Sequence, residues 1–256
     1  MFKSMHHTDR KIVIKLGGST LEGLNEHFFR NFKALQQQGY AIIITHGGGP
    51  AINESLEKAN IKSHTKNGLR VTTDDMIEIV QQTLIGCVNP KLVQQLNAVG
   101  VQTIGLNGFD GKLLQGEYLD YSNYGHVGDV THVNTELLEH LLLAGIVPVI
   151  ACVASTSEGK ALNVNGDTVA CAIAKAIQAE SLLLVTDVEG IRIAGEYQQS
   201  VTPDDIASWI KSGDIYGGMI PKVEGALLCM EAGIPTVQIV NETLRGTTIL
   251  SKELVK

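Results

Sequence analysis

The sequence is poor in the features that mark disulfide-rich, membrane-spanning and nucleic-acid-binding proteins. It has four cysteines in 256 residues and no C-x-x-C pair, so we expect reduced, mostly buried thiols in a cytoplasmic protein. The longest apolar run, residues 141–154, contains Gly145 and Pro148 and is too short to span a bilayer. A net charge of −7 argues against a nucleic-acid surface, which needs a concentrated basic patch. We therefore predict a globular protein without nucleic-acid or membrane partners.

Several catalytic motifs are also absent. The P-loop pattern G-x-x-x-x-G-K-[ST], the nucleophile elbow G-x-S-x-G and the zinc motif H-E-x-x-H do not occur. The dinucleotide pattern G-x-G-x-x-G is incomplete, because Gly47 and Gly49 are followed by Ile52 where the third glycine is needed. These absences disfavour a P-loop site, a serine hydrolase, a zinc peptidase and a nicotinamide-dependent enzyme.

The chain instead alternates short β-rich apolar runs with helical patterns. The apolar runs predict strands at 11–16, 40–46, 145–151, 181–187 and 235–240. Helices are predicted at roughly 21–38, 50–60, 73–87, 90–99, 134–144, 167–178, 203–212 and 221–232. Near-continuous runs of Ile, Val and Leu are typical of strands that are covered on both faces. The alternation predicts an α/β fold with a mostly parallel sheet between two helical layers.

The middle of the chain differs in composition. Residues 100–132 are rich in Gly, Asn, Tyr and Asp in short pieces, which predicts hairpins rather than βαβ units, and residues 155–165 predict another hairpin. No internal repeat or long linker marks a domain boundary. We place a boundary between two lobes near residue 179, before the strand predicted at 181–187.

Two glycine clusters follow the first two predicted strands. Gly17 and Gly18 follow the first, and residues 47–49 follow the second. In parallel sheets, ligands bind beyond the carboxyl ends of strands, and glycine lets backbone N–H groups approach an anion. Each cluster leads into a helix, whose N-terminus adds positive potential. Either cluster alone is as consistent with a tight turn, but the two together, with Lys15 beside the first, favour an anion site.

Seven motifs occur in the order typical of the amino-acid kinase family. They are KLGGS, HGGGP, KNGLRVT, GHVGDV, NVNGDTVA, VTDVEGI and GGMIPKVEGA, and the resemblance runs from about Lys11 to Leu250. The resemblance implies a three-layer αβα sandwich around a mostly parallel eight-stranded sheet. It also implies that an N-terminal lobe, residues 1–178, binds the acyl amino acid and forms the dimer, and that a C-terminal lobe, residues 179–256, binds ATP.

The motifs are most similar to those of family members that use ATP to phosphorylate the side-chain carboxylate of N-acetyl-L-glutamate in arginine biosynthesis. Such a carboxylate is already ionised, with a pKa near ~4.3, so the reaction needs no general base. The difficulty is the meeting of two anions, which calls for positioning and charge stabilisation. The resemblance assigns catalysis to Lys15 and Lys222, which flank the transferred phosphoryl group, and to Asp167, which orients both lysines.

The resemblance also implies two sets of binding residues. The substrate-binding set is Gly48, Gly49, Arg70, Asn163 and Asn165, with Arg70 paired to the α-carboxylate. The nucleotide-binding set is Gly17, Gly18, Asp187, Gly190, Ile191, Asp214 and Tyr216. Mg²⁺ is expected to arrive with ATP and to keep many of its waters, without a dedicated protein site. His46 is interpreted as structural, because the chemistry requires no histidine.

Alternative functions remain open at this point. A related kinase would act on N-acetylaminoadipate or on a carrier-bound acid, and other family members share the fold with different middle segments. A non-catalytic sensor of an amino acid or nucleotide is disfavoured by the presence of Lys15, Asp167 and Lys222. Arginine-inhibited members of the family carry an extra N-terminal helix, and here ten residues precede the first predicted strand. We therefore predict a homodimer without arginine feedback.

Overall fold

A computed structural model describes residues 10–251 of the chain. Its strands are β1 Lys11–Leu16, β2 Ala41–His46, β3 Thr65–Lys66, β4 Leu69–Arg70, β5 Thr103–Leu106, β6 Leu114–Tyr118, β7 Val127–Val133, β8 Val147–Ala151, β9 Val153–Ser155, β10 Ala161–Val164, β11 Ser181–Val185, β12 Arg192–Ile193, β13 Glu196–Tyr197, β14 Ser200–Val201, β15 Thr236–Val240 and β16 Gly246–Leu250. Its α-helices are α1 Glu26–Gln37, α2 Gly49–Lys58, α3 Asp74–Gln81, α4 Asn89–Ala98, α5 Tyr121–Tyr124, α6 Thr135–Leu143, α7 Gly166–Ala176, α8 Pro203–Ser212 and α9 Met219–Glu231. The helix predicted at 21–38 is divided, because a 3₁₀ turn at Leu21–Gly23 precedes α1. Within residues 10–251, none of the helices combines the length and the apolar composition needed to cross a membrane.

The largest sheet has eight strands in the order β14-β16-β15-β11-β1-β2-β8-β5. Neighbouring strands are parallel except for the antiparallel pair β15–β16. The five strands predicted from apolar runs are the central five, from β15 to β8. Helices cover both faces of this sheet, which confirms the predicted three-layer α/β fold.

Sequence reasoning missed three main-sheet strands, which are β5 and β14 at the two edges of the sheet and β16 beside β14. β14 has two residues, and in β5 the side chain of Ile104 is 37% exposed, so neither strand has a continuous apolar run. β5 corrects the prediction that hairpins fill residues 100–132, because it pairs in parallel with β8. The remainder of that segment does contain an antiparallel hairpin, formed by β6 and β7.

Alternate residues of the central strands face opposite helical layers. On β1, Ile12 and Ile14 pack with the layer that contains α1 and α4. Val13 packs with the layer that contains α6, α7, α8 and α9. Because side chains alternate along a strand, Lys15 faces the same layer as Val13, and α7 packs directly against β1.

A small closed barrel, β10-β7-β6-β9, is attached to the main sheet. Its strands β9 and β10 are antiparallel, which confirms the hairpin predicted at 155–165. The last strand of the barrel leads directly into α7. The barrel therefore delivers the NVNGD segment, residues 163–167, to the start of α7 and so to the end of β1.

The helix α3 continues without interruption through a π-helix, Gln82–Val88, into α4. The sequence pattern predicts two helices instead, at 73–87 and 90–99, separated near Pro90. Proline lacks an N–H group, and in an α-helix its ring clashes with the carbonyl four residues earlier. The wider hydrogen-bond spacing of the π-helix lies immediately before Pro90 and allows the helix to continue.

Candidate active site

The two glycine loops lie side by side at the C-terminal edge of the main sheet. β1 and β2 are parallel neighbours, so the loops that follow them start from the same edge. A Cβ on Gly18 would lie 2.8 Å from both Gly49 N and Pro50 Cδ, so a glycine is needed where the loops touch. A Cβ on Gly48 would lie 2.6 Å from Leu84 Cδ2. The second loop is therefore fixed between the first loop and the π-helix.

Lys15 projects from the end of β1 towards the first turn of α7. Its Nζ lies 3.0 Å from Asp167 Oδ1, and its side chain is 16% exposed. The side chain of Asn165 caps α7 by accepting hydrogen bonds from the backbone N–H groups of Asp167 and Thr168. A Cβ on Gly166 would lie 3.2 Å from Lys15 Cε. Asp167 is thus both an acidic residue of the first helical turn and the ion partner of Lys15.

Lys222 forms a second ion pair beside the end of β11. It lies in the first turn of α9, which begins at Met219, two residues before the predicted start. Its Nζ is 2.5 Å from Asp187 Oδ1, and this hydrogen bond lowers the pKa of the Asp187 carboxyl. The family resemblance predicts that Asp167 orients both lysines. In the structure Asp167 pairs with Lys15, and Asp187 pairs with Lys222.

The two lysines line one cavity of about 150 Å³. The cavity lies beyond the C-terminal ends of β1 and β11, the place where parallel sheets bind ligands. Its walls also include Gly17, Ser19, Asp167, Thr186, Asp187 and Ile239. The fold therefore brings cations from distant parts of the chain to a single small cavity.

A second cavity, of about 220 Å³, adjoins the first at the start of α7. Gly166 lines the second cavity, while the next residue, Asp167, lines the first. The five residues assigned to substrate binding all line the second cavity: Gly48, Gly49, Arg70, Asn163 and Asn165. They come from the second glycine loop, β4 and the end of the barrel, and the fold brings them together.

Arg70 is partly buried and has uncharged hydrogen-bond acceptors. Its guanidinium donates to Ser63 Oγ, to Asn53 Oδ1 and, at 3.3 Å, to the backbone oxygen of Gly49. Burial lowers the pKa of Arg70, although an arginine stays ionised at any pH at which the protein is folded. The guanidinium is therefore a fixed positive charge in the wall of the second cavity.

Asn163 is held against the segment that carries Arg70. Its Nδ2 donates to Thr72 Oγ1 at 2.9 Å, and that hydroxyl donates to the backbone oxygen of Arg70 at 3.0 Å. Its backbone N–H donates to the carbonyl of His126. These bonds connect the barrel to the residues after β4, so Asn163 and Arg70 keep a fixed spacing across the cavity.

His46 is buried beneath the second glycine loop. The Asn89 Nδ2 group donates to Val149 O at 2.8 Å and also lies 3.0 Å from His46 Nε2, so Nε2 is the acceptor. The Nδ1–H group then donates to the carbonyl of Gly47 at 2.9 Å. Burial lowers the pKa of His46 to about 4. The ring is neutral at pH 7 and supports the loop, the structural role expected from the sequence.

The residues assigned to the nucleotide are spread more widely. Gly17 and Asp187 line the cavity that holds both lysines. Gly190 and Ile191 pack instead against Thr247: a Cβ on Gly190 would lie 2.6 Å from Thr247 Oγ1, and the N–H of Ile191 donates to that oxygen. These two residues hold the segment after β11 against β16.

Asp214 and Tyr216 lie in the loop between α8 and α9. Asp214 accepts a hydrogen bond from Ser212 Oγ at 2.6 Å, and Tyr216 is 75% exposed. This loop leads into the helix that carries Lys222. Both residues are therefore exposed to solvent close to the start of α9, and their assignment to the nucleotide stays a prediction.

Sequence reasoning missed some residues that belong to the two cavities. Ser19 and Thr186 line the first cavity, and they stand inside the family motifs KLGGS and VTDVEGI, respectively. Asn53 and Ser63 bond to Arg70. Nothing in the local sequence marks these two, because their contact depends on how α2 and the residues before β3 fold together.

Comparison with known proteins defines the class of protein. The sequence matches the Amino acid kinase family over residues 10–241. The chain belongs to this family, which confirms the resemblance drawn from its seven motifs.

Individual members of the family show which proteins this chain resembles. The acetylglutamate kinase of Halalkalibacterium halodurans is 44% identical over 230 residues, which cover 90% of this chain and 88% of that protein. The acetylglutamate kinase of Bacillus subtilis is 40% identical over 255 residues, which cover 96% and 99%. Among solved structures, the crystal structure of smu.665 from Streptococcus mutans UA159 superposes with a TM-score of 0.85 and a sequence identity of 36%. The match covers 95% of this chain and 99% of that one. The chain is thus similar to acetylglutamate kinases along nearly its whole length.

Proposed function

We propose that the protein transfers the γ-phosphoryl group of ATP to the side-chain carboxylate of N-acetyl-L-glutamate, a step of arginine biosynthesis. Relatives called acetylglutamate kinase, 44% and 40% identical over most of the chain, support this substrate. The observation that carries the proposal is the pair of adjoining cavities. One is lined by Lys15 and Lys222, and the other is lined by Arg70.

The proposed reaction is a direct displacement between two anions. The substrate carboxylate is ionised at neutral pH, because its pKa is about 4.3, so its oxygen attacks the γ-phosphorus without a general base. The bond from that phosphorus to the bridging oxygen breaks, and ADP leaves. In this proposal Lys15 and Lys222 stabilise the negative charge on opposite sides of the transferred group.

Preorganisation of the cations supports this assignment. The ion pair with Asp167 holds Lys15 at 3.0 Å, and the side chain of Asn165 fixes the backbone of Asp167 by accepting a hydrogen bond from its N–H group. The N-termini of α2 and α7 are directed at the same edge of the sheet and add positive potential. Cations that are already in place need no reorganisation during the reaction, which is the basis of electrostatic catalysis.

The second cavity is proposed to bind the acyl amino acid. Arg70 pairs with the α-carboxylate, because a planar guanidinium matches a planar carboxylate. Gly48 and Gly49 offer backbone N–H groups, and Asn163 and Asn165 offer amide groups to the acetamido end. With the substrate in this cavity, its side-chain carboxylate extends past Gly166 towards the lysines.

ATP is proposed to approach from the C-terminal lobe, with Gly17, Gly18 and residues 187–191 on the phosphate side and Asp214 and Tyr216 near the start of α9.

Asp167 and Asp187 are each paired with a lysine. Among residues 10–251, no group of three His, Cys, Asp or Glu side chains is arranged to hold a metal ion. Mg²⁺ is proposed to arrive with ATP and to be bound mainly by the ATP phosphates and water, where it would neutralise phosphate charge. All lining residues of the second cavity precede residue 179, which supports the division into lobes 1–178 and 179–256.

A coupled assay tests the proposal. Purified protein is incubated with Mg-ATP and N-acetyl-L-glutamate, and hydroxylamine traps the acyl phosphate as a hydroxamate. We expect hydroxamate formation that depends on both substrates. Turnover with N-acetylaminoadipate alone would indicate the related kinase, and binding of both ligands without hydroxamate would indicate a sensor.

A homodimer is also proposed. β5 forms an outer edge of the main sheet, and Ile104 on this strand is 37% exposed. An exposed sheet edge with apolar side chains is a ready surface for pairing with a second copy. Sedimentation velocity tests this: we expect twice the mass of one chain and no change on adding millimolar arginine, whereas a hexamer would contradict it.

A further inference from the structure

The uncharged surroundings of Arg70 distinguish it from the two lysines of the neighbouring cavity. Each of those lysines has a carboxylate partner within 3.0 Å. In contrast, the acceptors of the Arg70 guanidinium are the hydroxyl of Ser63, the amide oxygen of Asn53 and the carbonyl of Gly49. Within residues 10–251, no aspartate or glutamate forms a salt bridge with Arg70. A partly buried cation without a counter-ion carries a desolvation cost that an anionic ligand would offset.

The acceptors hold Arg70 from two sides. Asn53 and Ser63 line an open outer cavity of about 750 Å³ formed by α2 and the segment before β3. Gly49 lines the inner cavity of about 220 Å³, and Arg70 lines both. Its guanidinium is therefore anchored from outside by a side-chain amide and a hydroxyl, while part of it remains available to the inner cavity.

We propose that Asn53 is a positioning residue for Arg70, and that its lack of charge is the property that matters. As an amide it fixes the guanidinium through one hydrogen bond and leaves the positive charge unneutralised for the α-carboxylate of the substrate. This inference deepens the proposed function and rests on it. An acidic residue at position 53 would orient Arg70 equally well but would compete with the substrate for it.

Two substitutions at one position separate orientation from charge. Asn53→Ala removes the acceptor, whereas Asn53→Asp keeps an acceptor oxygen of the same reach and adds a negative charge. We expect KM for N-acetyl-L-glutamate to rise about threefold in N53A and at least about tenfold in N53D. The carboxylate introduced by N53D would form a charge-assisted hydrogen bond with Arg70, which is stronger than the neutral one, and would therefore compete with the substrate. KM for ATP stays unchanged and kcat falls less than about twofold, because the lost interaction is made equally in the ground and transition states.

A substrate analogue provides a second readout. N-acetyl-L-isoglutamine carries an amide in place of the α-carboxylate, so it tests the ion pair with Arg70 directly. We expect the wild type to prefer the carboxylate over this analogue in kcat/KM, and N53D to lose most of that preference. Asn60→Asp is the matched control: it adds the same charge to the outer cavity without a hydrogen bond to the guanidinium, and we expect wild-type kinetics.

The kinetic results distinguish a failure of the inference from a failure of the proposed function. A KM in N53D at or below that of N53A means that the acceptor alone matters, and this contradicts the inference while leaving the kinase activity intact. An equal rise in N60D would assign the effect to general charge and would also contradict it. A wild-type protein without turnover on N-acetyl-L-glutamate contradicts the proposed function and the inference with it. Thermal unfolding of each variant within a few degrees of wild type excludes misfolding as the cause.

Discussion

The two lysine–carboxylate pairs of the candidate active site differ in how firmly the fold holds them. Lys15 stands on a central strand, its side chain is 16% exposed, and its partner Asp167 is 41% exposed at the start of a capped helix. Lys222 stands on the first turn of α9, its side chain is 27% exposed, and its partner Asp187 is 71% exposed. A central strand and a capped helix fix the pair of Lys15 and Asp167, whereas the pair of Lys222 and Asp187 is more exposed to solvent.

This difference suggests different tasks for the two lysines. An ion pair with a largely exposed partner contributes little to stability, because water competes for both charges. Exchange of Asp187 for a phosphate oxygen therefore costs Lys222 little, which suits a cation that meets an incoming nucleotide. Lys15 is enclosed between β1 and the first turn of α7, which suits a cation that must be in place before the reaction.

The largest effect is expected from removing either cation. Lys15→Met and Lys222→Met keep the length of the side chain and remove its charge, and we expect kcat to fall about 100- to 1,000-fold in each, the scale of one preorganised donor. K222M should also raise KM for ATP, whereas K15M should not. Steady-state kinetics with both substrates measure this.

Lys11→Met is the matched control for those variants. Lys11 lies on the same strand as Lys15, at its N-terminal end, where it pairs with Glu139. We expect wild-type activity from it. An equally large loss in K11M would mean that the effect of K15M arises from damage to β1 rather than from a lost catalytic charge.

The two carboxylates should differ by a smaller margin. Asp167→Asn releases Lys15 from its charged partner, and we expect kcat to fall about tenfold or more, because misplacing a reacting group is costly. Asp187→Asn loosens only the exposed pair, and we expect kcat within about threefold of wild type, in keeping with the small value of exposed ion pairs. Equal losses of kcat in the two variants would contradict the distinction between a fixed and an exchangeable lysine.

The burial of His46 beneath the second glycine loop also predicts that the stability of the fold depends on pH. His46 has a pKa of about 4 in the folded protein and about 6.5 when unfolded, so between these values the unfolded state binds the extra proton. Stability should therefore fall as pH drops from about 6.5 towards 4, by up to about 1.4 kcal/mol per pH unit. Urea unfolding at several pH values measures this slope.

Substitution of His46 isolates its share of that slope. His46→Gln should flatten it, while His140→Gln, at an exposed position of α6, should leave it as in wild type. The same slope in H46Q as in the unaltered protein would show that the buried imidazole is not the group responsible.

A small effect is also expected at Gly166. A Cβ there would lie 3.2 Å from Lys15 Cε, a contact that the flexible lysine stem relieves by moving a few tenths of an ångström. Gly166→Ala should therefore change kcat less than about fivefold, well below the about 100-fold cost of a misplacement near 1 Å. A loss as large as that of K15M would mean that the lysine has no freedom to adjust.

The fold was predictable where the sequence signal has a physical basis in burial. The central strands are covered on both faces and so consist of continuous apolar runs, which identified all five of them. The edge strands β5 and β14 are short, and β16, next to β14, alternates buried with less buried residues, so none of the three has a continuous apolar run. The joining of two helices across Pro90 was not predictable, because a π-helix has no distinct composition.

For the candidate active site, the motifs were predictable from the sequence and the pairing of their side chains was not. Lys15 and Arg70 stand within recognisable motifs, and in the fold Lys15 lines the first cavity and Arg70 lines the second. The pairing of Lys222 with Asp187, and of Arg70 with Asn53, depends on how separate elements approach one another. Such contacts leave no pattern in the local sequence.

In the proposed reaction, Lys15 and Lys222 converge on one migrating phosphoryl group. The direct measurement is a crystal structure with ADP, Mg²⁺, aluminium fluoride and N-acetyl-L-glutamate, in which the planar fluoride mimics that group. We predict both Nζ atoms within about 3.2 Å of the fluoride ligands, with Lys222 released from Asp187. A complex in which either lysine stays on its carboxylate, away from the fluoride, would contradict the account.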